Sequence, residues 1–202
     1  MLDQAAQDRV RDAIKTAEAG SELEFVTVLA RQSDGYYFIP TLWAALIALF
    51  LPVALVWTPF WLDVSHVVLI QLLVFSVLTA LFRWTPVMYR LIPKRVLHHR
   101  ASNMAHRQFL AQGVHRTRDG TGVLLFVSEA EHYVEIIADS GIDQKVEAAT
   151  WQQIVDQLTE AVRGGEVEAG FVEAIRAVGR LGADIAPSTR AKDELPNHLV
   201  LI

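Results

Sequence analysis

Two long apolar runs lie inside this chain rather than at its start. Tyr36 to Trp57 is 22 residues without a charge, and Val64 to Phe82 adds 19 more. A helix needs about 20 apolar residues to cross the ~30 Å hydrocarbon core of a bilayer. Only six residues, Thr58 to Asp63, separate the runs. The pattern predicts a transmembrane hairpin with spans 36–57 and 64–82, inside a unit running from 36 to 84. Two such runs would overfill the core of a domain this small, which argues against their being buried helices. Tyr36, Tyr37, Trp57, Trp61 and Trp84 are placed to form interfacial belts. His66 and Gln71 are isolated polar residues of the second run, and they do not outline an ion path. Pro52 is expected to kink the first.

The remaining ~155 residues fit one domain of ordinary size. There is no cysteine, which excludes disulfides, thiolate metal sites and cysteine nucleophiles. The first 21 residues are polar and show no apolar leader. The net charge of −5 conceals an asymmetry. Arg83 to Arg118 holds eight Lys/Arg and no Asp/Glu, whereas Asp119 to Ile202 holds fifteen acidic and six basic residues. Basic residues beside a span mark the cytoplasmic side, and Thr58–Asp63 carries no Lys or Arg. The expectation is a multi-pass protein of a bacterial plasma (inner) membrane with both termini cytoplasmic. Arg83, Arg90, Lys94, Arg95 and Arg100 are its membrane-surface residues, facing anionic headgroups at about 1 kcal/mol per charge. The acidic remainder argues against nucleic acid. Other membrane proteins are the expected partners. Self-association stays open, because no GxxxG pattern marks a helix pair.

Around the hairpin the pattern is helix (2–19), strand (23–30), an interfacial segment (83–92), helix (93–112), a loop, strands (121–128 and 132–138, antiparallel), a loop at 139–143, and helices (144–163 and 166–181). The tail 187–202 ends apolar and is placed to dock back or add an edge strand. The order predicts an α/β fold: a small mixed sheet sandwiched by helices (α/β/α) and interrupted by the hairpin. Residues 1–35 form its first part and 85–186 its second.

Common catalytic signatures are missing: no GxxxxGK[ST], HExxH or GxSxG occurs. Asp119-Gly120-Thr121-Gly122 has the look of an aspartyl-phosphate loop, but no strand precedes it and the second aspartate is absent. An Asp-Gly turn into a strand explains it better. His98, His99 and His106 share one helix without an accompanying carboxylate and read as surface residues rather than metal ligands. The candidate site is acidic. If the two central strands are antiparallel, Asp119 lies near Asp139 and Asp143, a donor set suited to calcium or magnesium. The competing reading makes Asp143 a helix cap and Asp139 a turn residue.

Several segments, taken together, resemble the TPM domain family. They are Ala13–Ala17 leading into Glu24-Phe25-Val26-Thr27-Val28, then Asp119 to Val127, Tyr133-Val134-Glu135-Ile136, Gly141-Ile142-Asp143, and the turn Gly164-Gly165-Glu166 followed by Gly170. The resemblance implies an α/β/α sandwich. It also implies either an acid phosphatase with a divalent-metal site, notably for calcium, or an assembly or quality-control factor. By position, Asp119, Asp139 and Asp143 would be the metal residues. The family's Gly-x-Gly-Leu-Glu becomes Asp139-Ser140-Gly141-Ile142-Asp143 here, and its later aspartate has only Glu147 nearby. The reading favoured by the sequence is a membrane-anchored interaction module at the cytoplasmic face. The alternative is a metal-dependent phosphatase, for which no nucleophile, general base or phosphate clamp can be named.

Overall fold

The computed structural model describes residues 2–57, 63–188, 195 and 199–202. The connector between the apolar runs, Trp61 within it, and most of the tail lie outside the described residues. The chain divides into two units, residues 1–33 with 98–202, and residues 34–97.

The first unit is an α/β sandwich. Its sheet has the order β3-β2-β1-β4. Here β1 is Glu24–Ala30, β2 Gly122–Ser128, β3 Tyr133–Ala138 and β4 Leu199–Leu201. β1 runs parallel to β2 and β4, and β3 is antiparallel to β2. The tail therefore does add an edge strand. Every residue of β1 and β2 is buried, as expected of central strands covered on both faces. Side-chain alternation sends Phe25, Leu29, Val123, Leu125 and Val127 to one face. There they meet Ile14 of α1 (Gln4–Ala19), Leu158 of α7 (Ala148–Arg163) and Phe171 and Ile175 of α8 (Val167–Ile185). Val26, Val28, Leu124 and Phe126 face the other way, onto Ala101 and Ala105 of α5 (Lys94–Ala111) and onto Val114.

Local signals explain the helix ends. Asp3 caps α1 by accepting the Ala6 N–H at 2.7 Å, a bond worth about 1 kcal/mol. Residues 139–143, expected to be a loop, instead form the short helix α6 (Ser140–Asp143). Asp139 caps it, and Ile142 is driven fully into the core. That anchor uses up the residues before 148, so α7 starts four residues later than the sequence pattern placed it.

The second unit holds α2 (Phe38–Val56), α3 (Val64–Phe82), α4 (Thr85–Leu91) and the first turn of α5. It runs past Trp84, where the sequence pattern ended the hairpin. A small cluster of Tyr36, Met88, Ile92 and Leu97 accounts for the difference. Tyr36 is fully buried there, edge-on to Tyr89 at 5.9 Å, so it is a packing residue and not part of an interfacial belt. Tyr37, Trp57 and Trp84 are exposed. Pro52 lies inside α2, and the helix continues through it.

Candidate functional site

The loop before β2 is built by Thr117. Its hydroxyl oxygen accepts the N–H groups of Thr121 (3.0 Å) and Gly122 (3.1 Å). This closes the turn that carries Asp119 and feeds the chain into β2. Across the strand pair, the Asp139 N–H donates to the Gly122 carbonyl at 2.8 Å. Gly141 then passes directly against the Asp119–Gly120 backbone. A Cβ at Gly141 would collide with the Asp119 carbonyl oxygen and lie 2.7 Å from that of Gly120. A Cβ at Gly122 would collide with the Val114 carbonyl oxygen. Glycine at 141 lets the two loops meet backbone to backbone, and glycine at 122 lets the start of β2 pass against Val114.

The loops bearing Asp119, Asp139 and Asp143 are thus adjacent. The carboxylates behave differently from one another. Asp139 Oδ1 accepts the Ser140 N–H at 2.6 Å, as a cap does. Asp143 is exposed at the end of α6. Among the described residues no three His, Asp or Glu side chains stand together so as to hold a metal ion. As they stand, these donors do not form a cation cage, and no chemical step is derived through a metal. The capping role belongs to Asp139, at the start of α6; Asp143, which the sequence offered as a cap, lies at the other end of that helix.

The five basic residues Arg83, Arg90, Lys94, Arg95 and Arg100 are all exposed. Arg83 lies over the Tyr37 ring, 4.9 Å from its centroid, a cation–π contact suited to an interfacial pair. Helices α2 and α3 are long and apolar enough to cross a membrane. No residue of α3 is buried, and Val56 and Val64 are 81% and 80% exposed. Exposed apolar surface on this scale marks a membrane or partner contact.

Two polar clusters escaped the sequence reading. Where β1 and β2 end, the Ser33 hydroxyl donates to Ser128 Oγ (2.9 Å), and the Ser128 hydroxyl donates to Glu131 Oε2. The Ser33 N–H donates to Glu131 Oε1 at 2.9 Å. All three residues are buried. On the α5 side of β3, Glu135 accepts hydrogen bonds from the Ser102 and Tyr133 hydroxyls, both at 3.2 Å, with His106 Nδ1 3.9 Å away. Burial, more than the neighbouring Glu135 charge, holds the Tyr133 phenol above its usual pKa, against a smaller opposing effect of Ser102. Ser102 and His106 are one helical turn apart, a spacing visible in the sequence. Ser128 and Glu131 are neighbours in the chain, but only the parallel pairing of β1 with β2 brings Ser33 to them.

A family model described as the TPM domain matches residues 91–181. That match covers 91 of the 202 residues, so the likeness to the TPM domain is one of this region. The match spans α5, the Thr117 turn, β2, β3 and most of α8; β1 and the apolar helices precede it. Among solved structures, the chain is similar to the NMR structure of the BA42 protein from the psychrophilic bacterium Bizionia argentinensis. That likeness has a TM-score of 0.63 at 17% identity and covers 100% of this chain and 95% of that one; it is a likeness of fold. No curated protein matches the sequence.

Proposed function

We propose that this TPM domain is a membrane-anchored interaction module, serving assembly or quality control of other membrane proteins at the cytoplasmic face of a bacterial inner membrane. The observation that carries the reading is the pair of exposed apolar helices, α2 and α3, lying in the chain between two parallel, fully buried strands of one sheet. A domain closed around its own anchor stays at the bilayer. The exposed basic residues from Arg83 to Arg100 support the cytoplasmic orientation and contact with anionic headgroups.

The test is accessibility of a tag at the C-terminus in intact cells. Protection from an external protease, with digestion after permeabilisation, is the expected result. Digestion from outside overturns the orientation.

A second reading, a divalent-metal-dependent phosphatase, draws on the backbone contact of Gly141 with Asp119 and Gly120. It requires that Asp119, Asp139 and Asp143 gather around calcium or magnesium on binding. Titration of the solubilised chain with either ion, followed by amide NMR, distinguishes the readings. Saturable shifts at 119–122 and 139–143 that vanish in Asp139→Asn/Asp143→Asn favour the phosphatase. Unchanged spectra at millimolar metal remove it.

A further inference from the structure

Strand β3 ends the sheet. It pairs with β2, and no described strand lies on its other side. The Asp139–Gly122 hydrogen bond sets the phase of the antiparallel ladder. Bonded and non-bonded pairs alternate along such a ladder. Tyr133, Glu135 and Ile137 therefore turn their backbone groups toward β2, and Val134, Ile136 and Ala138 turn theirs toward the open edge. A groove of about 370 Å³ follows this edge. Ile136 and Ala138 line one side, and Trp151, Gln152 and Val155 of α7 line the other. Its lining includes two carboxylates, Glu135 and Asp143, and no Lys or Arg. Glu135 is already engaged by Ser102 and Tyr133, so exposed Asp143 is the stronger attraction for a cation.

We propose that this groove docks an extended basic segment of a partner protein as a fifth strand beside β3. The backbone groups of Val134, Ile136 and Ala138 supply the ladder. The apolar wall takes alternate side chains, and Asp143 faces an arginine or lysine, as in other cases of strand addition to a free sheet edge. The proposal rests on the membrane-module reading for its partner: cytoplasmic segments next to a span are rich in Lys and Arg.

The probe is a synthetic octapeptide of alternating valine and threonine with two arginines, titrated against the full chain in nanodiscs by amide NMR. The expected result is saturable shifts confined to residues 133–139 and 143–155. Gln152→Lys, at an exposed position, weakens binding about tenfold or more by charge repulsion. A peptide N-methylated at alternate amides, or with glutamates in place of the arginines, loses binding. The proposal is overturned by unshifted spectra at millimolar peptide, by shifts centred elsewhere, by equal binding of the N-methylated or acidic peptide, or by β3 pairing with a second copy of the chain instead. The tag experiment separates the two ideas. An external C-terminus removes the cytoplasmic module and leaves peptide capture intact, whereas failed capture with a protected C-terminus removes only the β3 edge.

Discussion

At its Ser128 end, β2 lies beside a carboxylate almost wholly removed from water. Glu131 is 5% exposed and is held by Ser33 and Ser128. At its Gly122 end the neighbouring carboxylates have a different setting: Asp139 caps a four-residue helix, and Asp143 stands in solvent. A buried carboxylate with matched donors positions chain, because leaving any member unpaired is costly. Glu131 fixes the place where the chain leaves β1 toward α2, and Glu129 and Ala130 reinforce it by donating to the carbonyls of Ala30 and Arg31. Asp143 has no such task, and its charge is open to a ligand. Sequence reasoning values these carboxylates the other way round, since acidic loops look functional and a lone glutamate after a strand does not.

The contrast can be broken by substitution. Glu131→Ala strands the Ser33 N–H and the Ser128 hydroxyl in a dry setting, and a loss of about 2–6 kcal/mol is expected at about 1–3 per orphaned group. Denaturant unfolding of the solubilised chain measures it, and a loss below about 1 kcal/mol would make the cluster incidental. Gly141→Ala drives a methyl into two carbonyl oxygens and is expected to cost about 1–3 kcal/mol. Its amide shifts should spread to residues 117–122, and shifts confined to 139–143 would deny the contact between the loops.

Asp139→Ala removes a cap and is expected to cost about 1 kcal/mol, with Asp139→Asn costing less. Thr27 supplies a counter-case to Glu131: its hydroxyl is buried in β1 without a partner. Thr27→Val is therefore expected to be neutral or to stabilise by up to about 1 kcal/mol. The smallest effect concerns the surface pair Arg9–Glu168. The hydrogen bond from Arg9 holds the Glu168 carboxyl below its usual pKa. A depressed folded value means that the contribution is present above the unfolded pKa and fades as pH falls through the folded one. Both partners are surface groups, so salt should abolish the difference between Glu168→Gln and the parent chain at neutral pH.

Much of the fold was legible. The apolar runs, the β-branched strands, the antiparallel β2–β3 pair and the docking tail follow from periodicity and turn chemistry, which act over a few residues. Residues 139–143 carry no helical signal in the sequence because Ile142 is one apolar residue among polar ones; burial of Ile142 in the core accompanies the folding of the segment into α6. Tyr36 stands at the edge of an apolar run, a place that in isolation predicts an interfacial belt. Packing against Met88, Tyr89 and Ile92, some fifty residues on, decides otherwise.

By itself, the sequence determined what short-range chemistry can encode: two helices long and apolar enough to cross a membrane, an α/β order around them, a basic stretch following the second, and adjacent acidic loops. Tertiary structure alone decided which carboxylate is buried and which is exposed, where the hairpin unit ends, and that among the described residues β3 keeps an open edge beside a groove bearing two carboxylates. Those outcomes depend on contacts between residues distant in the chain. The pairing of β1 with β2 brings Ser33 within hydrogen-bonding reach of Ser128 and Glu131, and no local pattern carries that information.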